Sequence, residues 1–386
     1  MRYHVFVLVW GEPFARAHLD MALPFLMMPG NLPSLAADAE VDVHIYTDRE
    51  TKPLLEEGTK GLGAVCRRNI HVLEDIHVRG ASPLDYARGI DFPEYKYAVQ
   101  RECVRHLHDS VKDQAGASII FLDSNFLLSD GTLAALDERR RQGFEAAAVN
   151  VLRLSEGGAG PLLTRALAAD TPVGARELVA IGLKAPHHFT EAFYVDAGSF
   201  TPYPSQLIWR LGDDGMLSRA FLPHPLMAPV GPAMAHSQST MDYDMALRSA
   251  PDDKIYVAAD SDEMLICKIS GDAHQSERNS GPPPTAQNLA LFLLSSTNRR
   301  HRLFADIPIY FHAGERHQDY KEIEAESGKL VGEAYDIVDT IAGRAGELDA
   351  SALLYVKSFY GPIEEYMSPQ LEPDALDRLR QFSEAR

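Results

Sequence analysis

The chain predicts a three-layer α/β fold, a mostly parallel sheet with helices on both faces and a helical region appended at the C-terminus. Three observations carry this. Residues 3–10 are a continuous apolar, β-rich run, as in a strand buried on both faces. Strand-like and helix-like segments then alternate as far as residue 152, the order that βαβ units impose. The apolar run 117–122 ends abruptly in Asp123-Ser124-Asn125, at the kind of strand end where open parallel sheets hold their ligands.

Each element follows from its local pattern. Gly11 and Pro13 close the first strand, a helical stretch covers 14–26, and Pro29-Gly30-Asn31-Leu32-Pro33 breaks the chain. Residues 41–47 alternate apolar and polar side chains and finish at Thr47-Asp48, a second strand with an acid at its C-terminal edge; 70–73 predict a short third. Over 95–111, Tyr95, Val99, Cys103 and Leu107 recur on one helical face. After the strand ending at Asp123 come a helix at 131–142 and a strand at 146–152. Gly157-Gly158-Ala159-Gly160 reads as a hinge before helices at 162–169 and 175–184. Residues 190–268 are β-rich and loop-rich, with strands expected near 221–222, 254–258 and 264–269. The polar stretch 271–285, with Ser280-Gly281-Pro282-Pro283-Pro284, is the candidate linker between a domain of residues 1–270 and a mostly helical 286–386.

Composition excludes several classes. The 386 residues carry a formal charge of −18, which argues against a nucleic-acid partner, because phosphate backbones are held by Lys/Arg-rich faces. A small phosphate ligand stays compatible, since a divalent ion can reverse the local sign. Cys66, Cys103 and Cys267 are scattered, without the spacing of a disulfide framework or a zinc site, and suit a reducing, cytoplasmic setting. The apolar start lacks a signal-peptide cleavage pattern, and no run is long enough for a transmembrane segment. No Gly-x-Ser-x-Gly, P-loop or HExxH pattern is present.

The candidate site residues lie at strand ends. Asp123 and Asn125, at i and i+2, share one side of an extended segment and offer oxygen ligands to a hard cation; their bland counterpart is an Asx-turn. Asp260-Ser261-Asp262-Glu263 packs three carboxylates into four residues, and Asp242 and Asp244 repeat the i, i+2 spacing. Such density calls for solvation, protonation or a metal, because neighbouring like charges raise one another's pKa. Asp260, Asp262 and Asp242, in that order, are the candidate general bases. Arg101 and Arg105 sit one turn apart on the helix before the Asp123 strand, facing either an anion or solvent. His224, followed by Pro225, and His236 are single histidines of the second half, for each of which a structural role is the local reading.

The run Ile119-Ile120-Phe121-Leu122-Asp123-Ser124-Asn125, with Ser129-Asp130-Gly131-Thr132-Leu133 behind it, resembles the strand and Asp-any-Asp motif of the GT-A glycosyltransferases, over roughly residues 1–270. The resemblance implies a Rossmann-type, GT-A-like sandwich that binds a nucleotide-diphosphate sugar with Mn²⁺ or Mg²⁺. It implies that Asp123, Asn125 and the late His224 hold the metal, and that Trp10, Gly11, Glu12 and Asp48 seat the nucleoside. Trp10 would stack on the base, unless it is a core residue; Asp48 would bond base or ribose, unless it caps a turn. Arg101 or Arg105 would reach the diphosphate. The chain departs from the motif at its last position, where Asn125 replaces an acid and leaves metal dependence open. The acceptor, whether carbohydrate, lipid or protein, is not specified, and a homo-oligomer is possible. Two alternatives stay open. A nucleotidyltransferase would carry a Gly-rich basic loop after the first strand, which Trp10-Gly11-Glu12-Pro13-Phe14-Ala15-Arg16 is not. A non-catalytic nucleotide-sugar-binding protein would be consistent with Asn125.

Overall fold

The structure is a computed structural model that describes residues 1–90, 94–169, 171–232, 234, 244–271, 281–316, 320–366 and 373–384. The chain lays down β1 (Arg2–Leu8), β2 (Glu40–Thr47), β3 (Arg67–Val72) and β4 (Ala117–Asp123), with helices between them. Next come β5 (Phe126–Leu128), β6 (Ala146–Val149) and β7 (Val151–Ser155), then β8 (Gln206–Arg210), β9 (Gly215–Ala220) and β10 (His224–Pro229). β11 (Ile255–Val257), β12 (Ile266–Ser270) and β13 (Ile309–His312) complete the set.

Seven strands build the central sheet in the order β11-β6-β10-β4-β1-β2-β3. All are parallel except β10, which runs antiparallel between β4 and β6. The period-2 alternation of a strand explains the layers. From β1, Tyr3, Val5 and Val7 join Leu32, Leu35, Leu55, Leu133 and Leu136 in one core. Phe6 points to the other face, against Ala98, Val99, Cys103 and Leu107 of helix Glu94–Val111. The largely parallel three-layer arrangement thus follows from the sequence pattern. The order reverses at β1: β2 and β3 extend to one side, while β4 returns to the other. In register, Leu8 lies beside Tyr46 and Asp123. A crevice at the carboxyl ends of β1 and β4 is where such a reversal places ligands.

Several expectations need correction. The strand expected over 146–152 is broken at buried Asn150: β6 stays in the central sheet and β7 moves to a small sheet, β5-β12-β7. Asn150 fixes the break by donating through Nδ2 to Gln206 Oε1 (2.6 Å) and Ser218 Oγ (2.9 Å). The glycines at 157–160 are no hinge but the first turns of helix Glu156–Leu167. Ser155 caps that helix by accepting from Gly158 N, and a Cβ at Gly158 would stand 2.9 Å from the Ala185 methyl, so smallness serves packing. Phe221 and Leu222 form the turn between β9 and β10 rather than a strand.

The C-terminal region is helical at Ala286–Ser296, Tyr320–Gly343, Ala350–Tyr360 and Pro373–Glu384. It also contributes β13, which pairs with β9 in a third sheet, β13-β9-β8. Trp209, Leu217 and Phe221 share one core with Leu289, Phe292, Val338 and Phe359. The region after 285 therefore packs as part of the same body as residues 200–222. Of the candidate linker, residues 272–280 lie outside the described residues; Gly281 N donates to Phe200 O (2.9 Å). No described helix is long and apolar enough to cross a membrane.

A row of imidazoles crosses the sheet beneath helix Glu94–Val111. Gln114 Oε1 accepts from His4 Nε2 (2.9 Å), His4 Nδ1 meets His44 Nε2 (3.1 Å), and His44 Nδ1 meets His71 Nε2 (3.0 Å). His106 lies edge-on to His71 and bonds the Tyr46 hydroxyl. With Gln114 as acceptor, neutral Nε2–H tautomers satisfy every link in one direction. Burial, then the neighbouring imidazoles, pushes His44 down to about 3 and His71 to about 4. Burial also lowers His4, against Gln114 and Asp42, and His106, against Asp109. In the unfolded chain these groups titrate near pH 6.5, so the unfolded state gains protons first. Stability is therefore whole above about pH 6.5 and falls as pH drops toward about 4 and then 3. Thermal melts across that window should show the decline, and His44→Gln should flatten it. A wild-type melting temperature that stays level from neutrality to about pH 4 would contradict the neutral row.

Candidate functional site

The loop after β1 is held from below by Asp48. Its carboxylate accepts from Gly11 N (2.7 Å), Thr51 N (2.8 Å) and Thr51 Oγ1 (2.8 Å). Burial alone would raise the Asp48 pKa; these hydrogen bonds outweigh it and hold the group below the usual carboxylate range. Asp48 thus positions the loop, and its two oxygens are already occupied. Gly11 sits at φ +80, where a side chain is strained, which lets the chain turn sharply out of the sheet. Trp10 is partly buried against Tyr95, edge to face at 6.5 Å, so its ring belongs in part to the core. Glu12 is exposed and paired with Arg16.

On the strand beside β1, Asp123 ends β4. Its Oδ2 lies 2.5 Å from Lys268 Nζ, with both side chains about one-quarter exposed. Asn125 donates through Nδ2 to Ile269 O (2.6 Å), stitching the motif to β12. His224 is buried, with Nε2 on Phe121 O (2.8 Å) and its ring edge-on to Phe126 at 4.8 Å. The residues expected to hold a metal here are engaged otherwise: Asp123 Oδ2 carries an ammonium, Asn125 Nδ2 is tied to main chain, and His224 Nε2 is turned to a carbonyl. His18 lies in a π-type stretch, His18–Ala22, and Nδ1 bonds Ser124 O (2.9 Å), holding the turn of the motif from the side.

Arg101 and Arg105 lie on the helix whose N-terminus faces the same sheet edge. Arg105 pairs with Glu102 on its own helix. Arg101 is half-buried and has no hydrogen bond or ion pair among the described residues; burial, then Arg105, lowers its pKa while leaving it charged.

Asp260 and Asp262 come after β11, three strands along the sheet edge from Asp123. They meet buried His312, at the end of β13. Asp260 Oδ1 lies 2.9 Å and Asp262 Oδ2 3.9 Å from His312 Nε2, and His312 Nδ1 donates to Gly314 O (2.8 Å). Two oxygens and one imidazole nitrogen so placed could hold a metal ion. Each carboxylate also carries a guanidinium: Arg316 on Asp260 (3.1 Å), and Arg176 forked onto Asp262 (2.8 to 3.1 Å) and reaching Glu315. Arg176 lowers the Asp262 pKa, against partial burial. Asp242, the third candidate base, and His236 lie outside the described residues.

The structure therefore places Trp10, Gly11 and Asp48 at the carboxyl ends of β1 and β2, and Asp123 and Asn125 at the end of neighbouring β4. It gathers Asp260 with Asp262 at a separate point. Lys268, His18, His312, Arg176 and Arg316 escaped the sequence reading. Lys268 left a signal: it is the one charge in the apolar run of β12. So did His312, the polar end of the Ile309–His312 strand. His18 and the two arginines left none, because their partners are distant in sequence.

Neither a protein-family model nor a curated protein matches the chain. Among solved structures, mouse xyloside xylosyltransferase 1 in its apo form aligns at 12% identity over 44% of this chain and 59% of its own, TM-score 0.28. S. aureus TarS 1–349 in complex with UDP aligns at 11% identity over 40% and 36%, TM-score 0.25. Another structure of TarS 1–349 aligns at 10% over 100% and 87%, TM-score 0.32. The chain spans less than two thirds of the first two structures' own length. Likenesses of this size carry no argument, and any functional reading rests on the geometry above.

Two outcomes are expected of variants. Asp48→Ala strands the Gly11 and Thr51 donors and should lower stability by about 1–3 kcal/mol in urea unfolding; an unchanged midpoint would deny Asp48 its positioning role. His312→Ala removes the buried group that joins two carboxylates and should also cost about 1–3 kcal/mol, read the same way.

Proposed function

We propose that the chain transfers a sugar from a nucleotide-diphosphate donor to an acceptor hydroxyl. One observation carries the reading: the strand order reverses between β1 and β4, and the two segments at that point are the Trp10-Gly11-Glu12 loop and Asp123-Ser124-Asn125. In this reading the nucleoside lies against Trp10, on the loop that Asp48 anchors, and the diphosphate lies toward Asp123. Arg101, charged and without a partner among the described residues, faces the diphosphate.

In the transfer, the bond from the sugar's anomeric carbon to the diphosphate oxygen breaks and its electron pair leaves on the diphosphate. The acceptor oxygen bonds that carbon and gives up its proton to a carboxylate. Asp260 is assigned the proton in this scheme: His312, Arg316 and the Asp262 N–H each touch it through one nitrogen, whereas Arg176 forks onto Asp262 and lowers its pKa. Asp242 is the alternative acceptor. Should a metal enter the Asp260–Asp262–His312 group, it would supply Lewis-acid charge there; no step above depends on it.

A second reading, nucleotide-sugar binding without turnover, is favoured by the pairing of each described candidate carboxylate with a cation. The two separate in one experiment: incubation with uridine-, guanosine- and thymidine-diphosphate sugars, following thermal shift and slow sugar release. The proposal expects one base class to raise the melting temperature and its sugar to be released. It also expects Trp10→Ala to weaken binding by about 1–3 kcal/mol, the worth of a base–aromatic stack. Stabilisation with no release across many acceptors favours binding alone, and no stabilisation by any donor defeats both.

A further inference from the structure

The Asp-x-Asn turn offers a single carboxylate, and that one is already paired with Lys268, whereas a diphosphate at the strand ends needs a cation. We infer that Lys268 is that cation, binding the diphosphate directly where a metal would stand in the resembled fold; this rests on the proposed nucleotide-diphosphate reading.

The placement of Lys268 is built rather than incidental. Strand β12 pairs antiparallel with β5, setting Lys268 opposite Phe126, the residue that follows Asn125. The ammonium lies 2.5 Å from Asp123 Oδ2 and 5.5 Å from the centre of the Phe126 ring. That ring is braced by His224, itself fixed on Phe121 O. The next residue, Ile269, accepts from Asn125 on one side while its N–H donates to Asn125 O (3.2 Å). Lysine, motif and β12 are thus one rigid unit. His224 then acts as a positioning residue for the lysine.

The ammonium has capacity left. It carries three N–H donors, and Asp123 is its one hydrogen-bond partner among the described residues. At 23% exposure it is neither fully hydrated nor closed off. An incoming phosphate oxygen can take the remaining donors without breaking the Asp123 contact. Asp123 keeps the amine aimed, while its own negative charge opposes the anion. A metal ligand would behave in the opposite way, since its removal would remove the cation. The sign of an Asp123 substitution therefore separates the two schemes.

The test is calorimetric titration of the full chain with inorganic pyrophosphate and with uridine and guanosine diphosphates, in EDTA and in Mn²⁺, with melts to confirm folding. The inference expects pyrophosphate binding to survive EDTA, Lys268→Gln to weaken it tenfold or more, and Lys268→Arg to retain most of it. It expects Asp123→Asn to leave affinity level or tighter. Binding that vanishes in EDTA, or with Asp123→Asn, while Lys268→Gln is neutral would overturn it, as would no pyrophosphate binding at all. Metal-independent, Lys268-dependent pyrophosphate binding with no added affinity from either nucleoside would uphold the lysine and defeat the nucleotide reading. Should Lys268→Gln melt early, the EDTA and Asp123→Asn results decide alone.

Discussion

Strand β4 is hydrogen-bonded on both sides, to parallel β1 and antiparallel β10, and buried on both faces through Leu122. A strand so enclosed can neither carry a charge inside the sheet nor continue past its neighbours. The first side chain that can hold one is at the edge, and Asp123 is that residue. The turn to Asn125 and the passage of β5 into a second sheet, paired with β12, follow that exit. So does the arrival of Lys268, because β12 can pair with β5 in only the register that keeps Leu127 and Cys267 buried.

The charges of the edge are arranged in compensated groups. At Asp123 one carboxylate meets one ammonium. At Asp260 and Asp262 two carboxylates meet two guanidinium groups, one of them shared with Glu315, and an imidazole. In a chain of formal charge −18, such local compensation keeps the sheet edge from becoming a field that repels anions. The imidazole row beneath helix Glu94–Val111 solves the same problem otherwise: burial keeps it neutral, and hydrogen bonds replace the lost water.

Much of the fold was legible because it rests on local periodicity. The strand that ends at Asp123, the helix carrying Val99, Cys103 and Leu107, and the sheet-edge loops at Trp10 and Asp48 lie where the pattern puts them. The errors arose where a local signal served a distant partner. The glycines at 157–160 read as freedom but provide room for Ala185, and the run through Asn150 read as one strand but is divided by Gln206 and Ser218. The site was half legible for the same reason. Asp123 and Asn125 announce themselves at a strand end. Their partners Lys268 and Ile269 are some 145 residues away by sequence, and the ion pair that changes what Asp123 can do has no local signature.

The central claim is that this edge meets a diphosphate with a lysine. The most direct measurement is a crystal structure of the full chain soaked with pyrophosphate in EDTA and, in parallel, in Mn²⁺. The account predicts the same anion in both, a phosphate oxygen within hydrogen-bond distance of Lys268 Nζ and Asp123 still on the lysine. Density for Mn²⁺ bridging Asp123 to the anion, with Lys268 displaced, would contradict it.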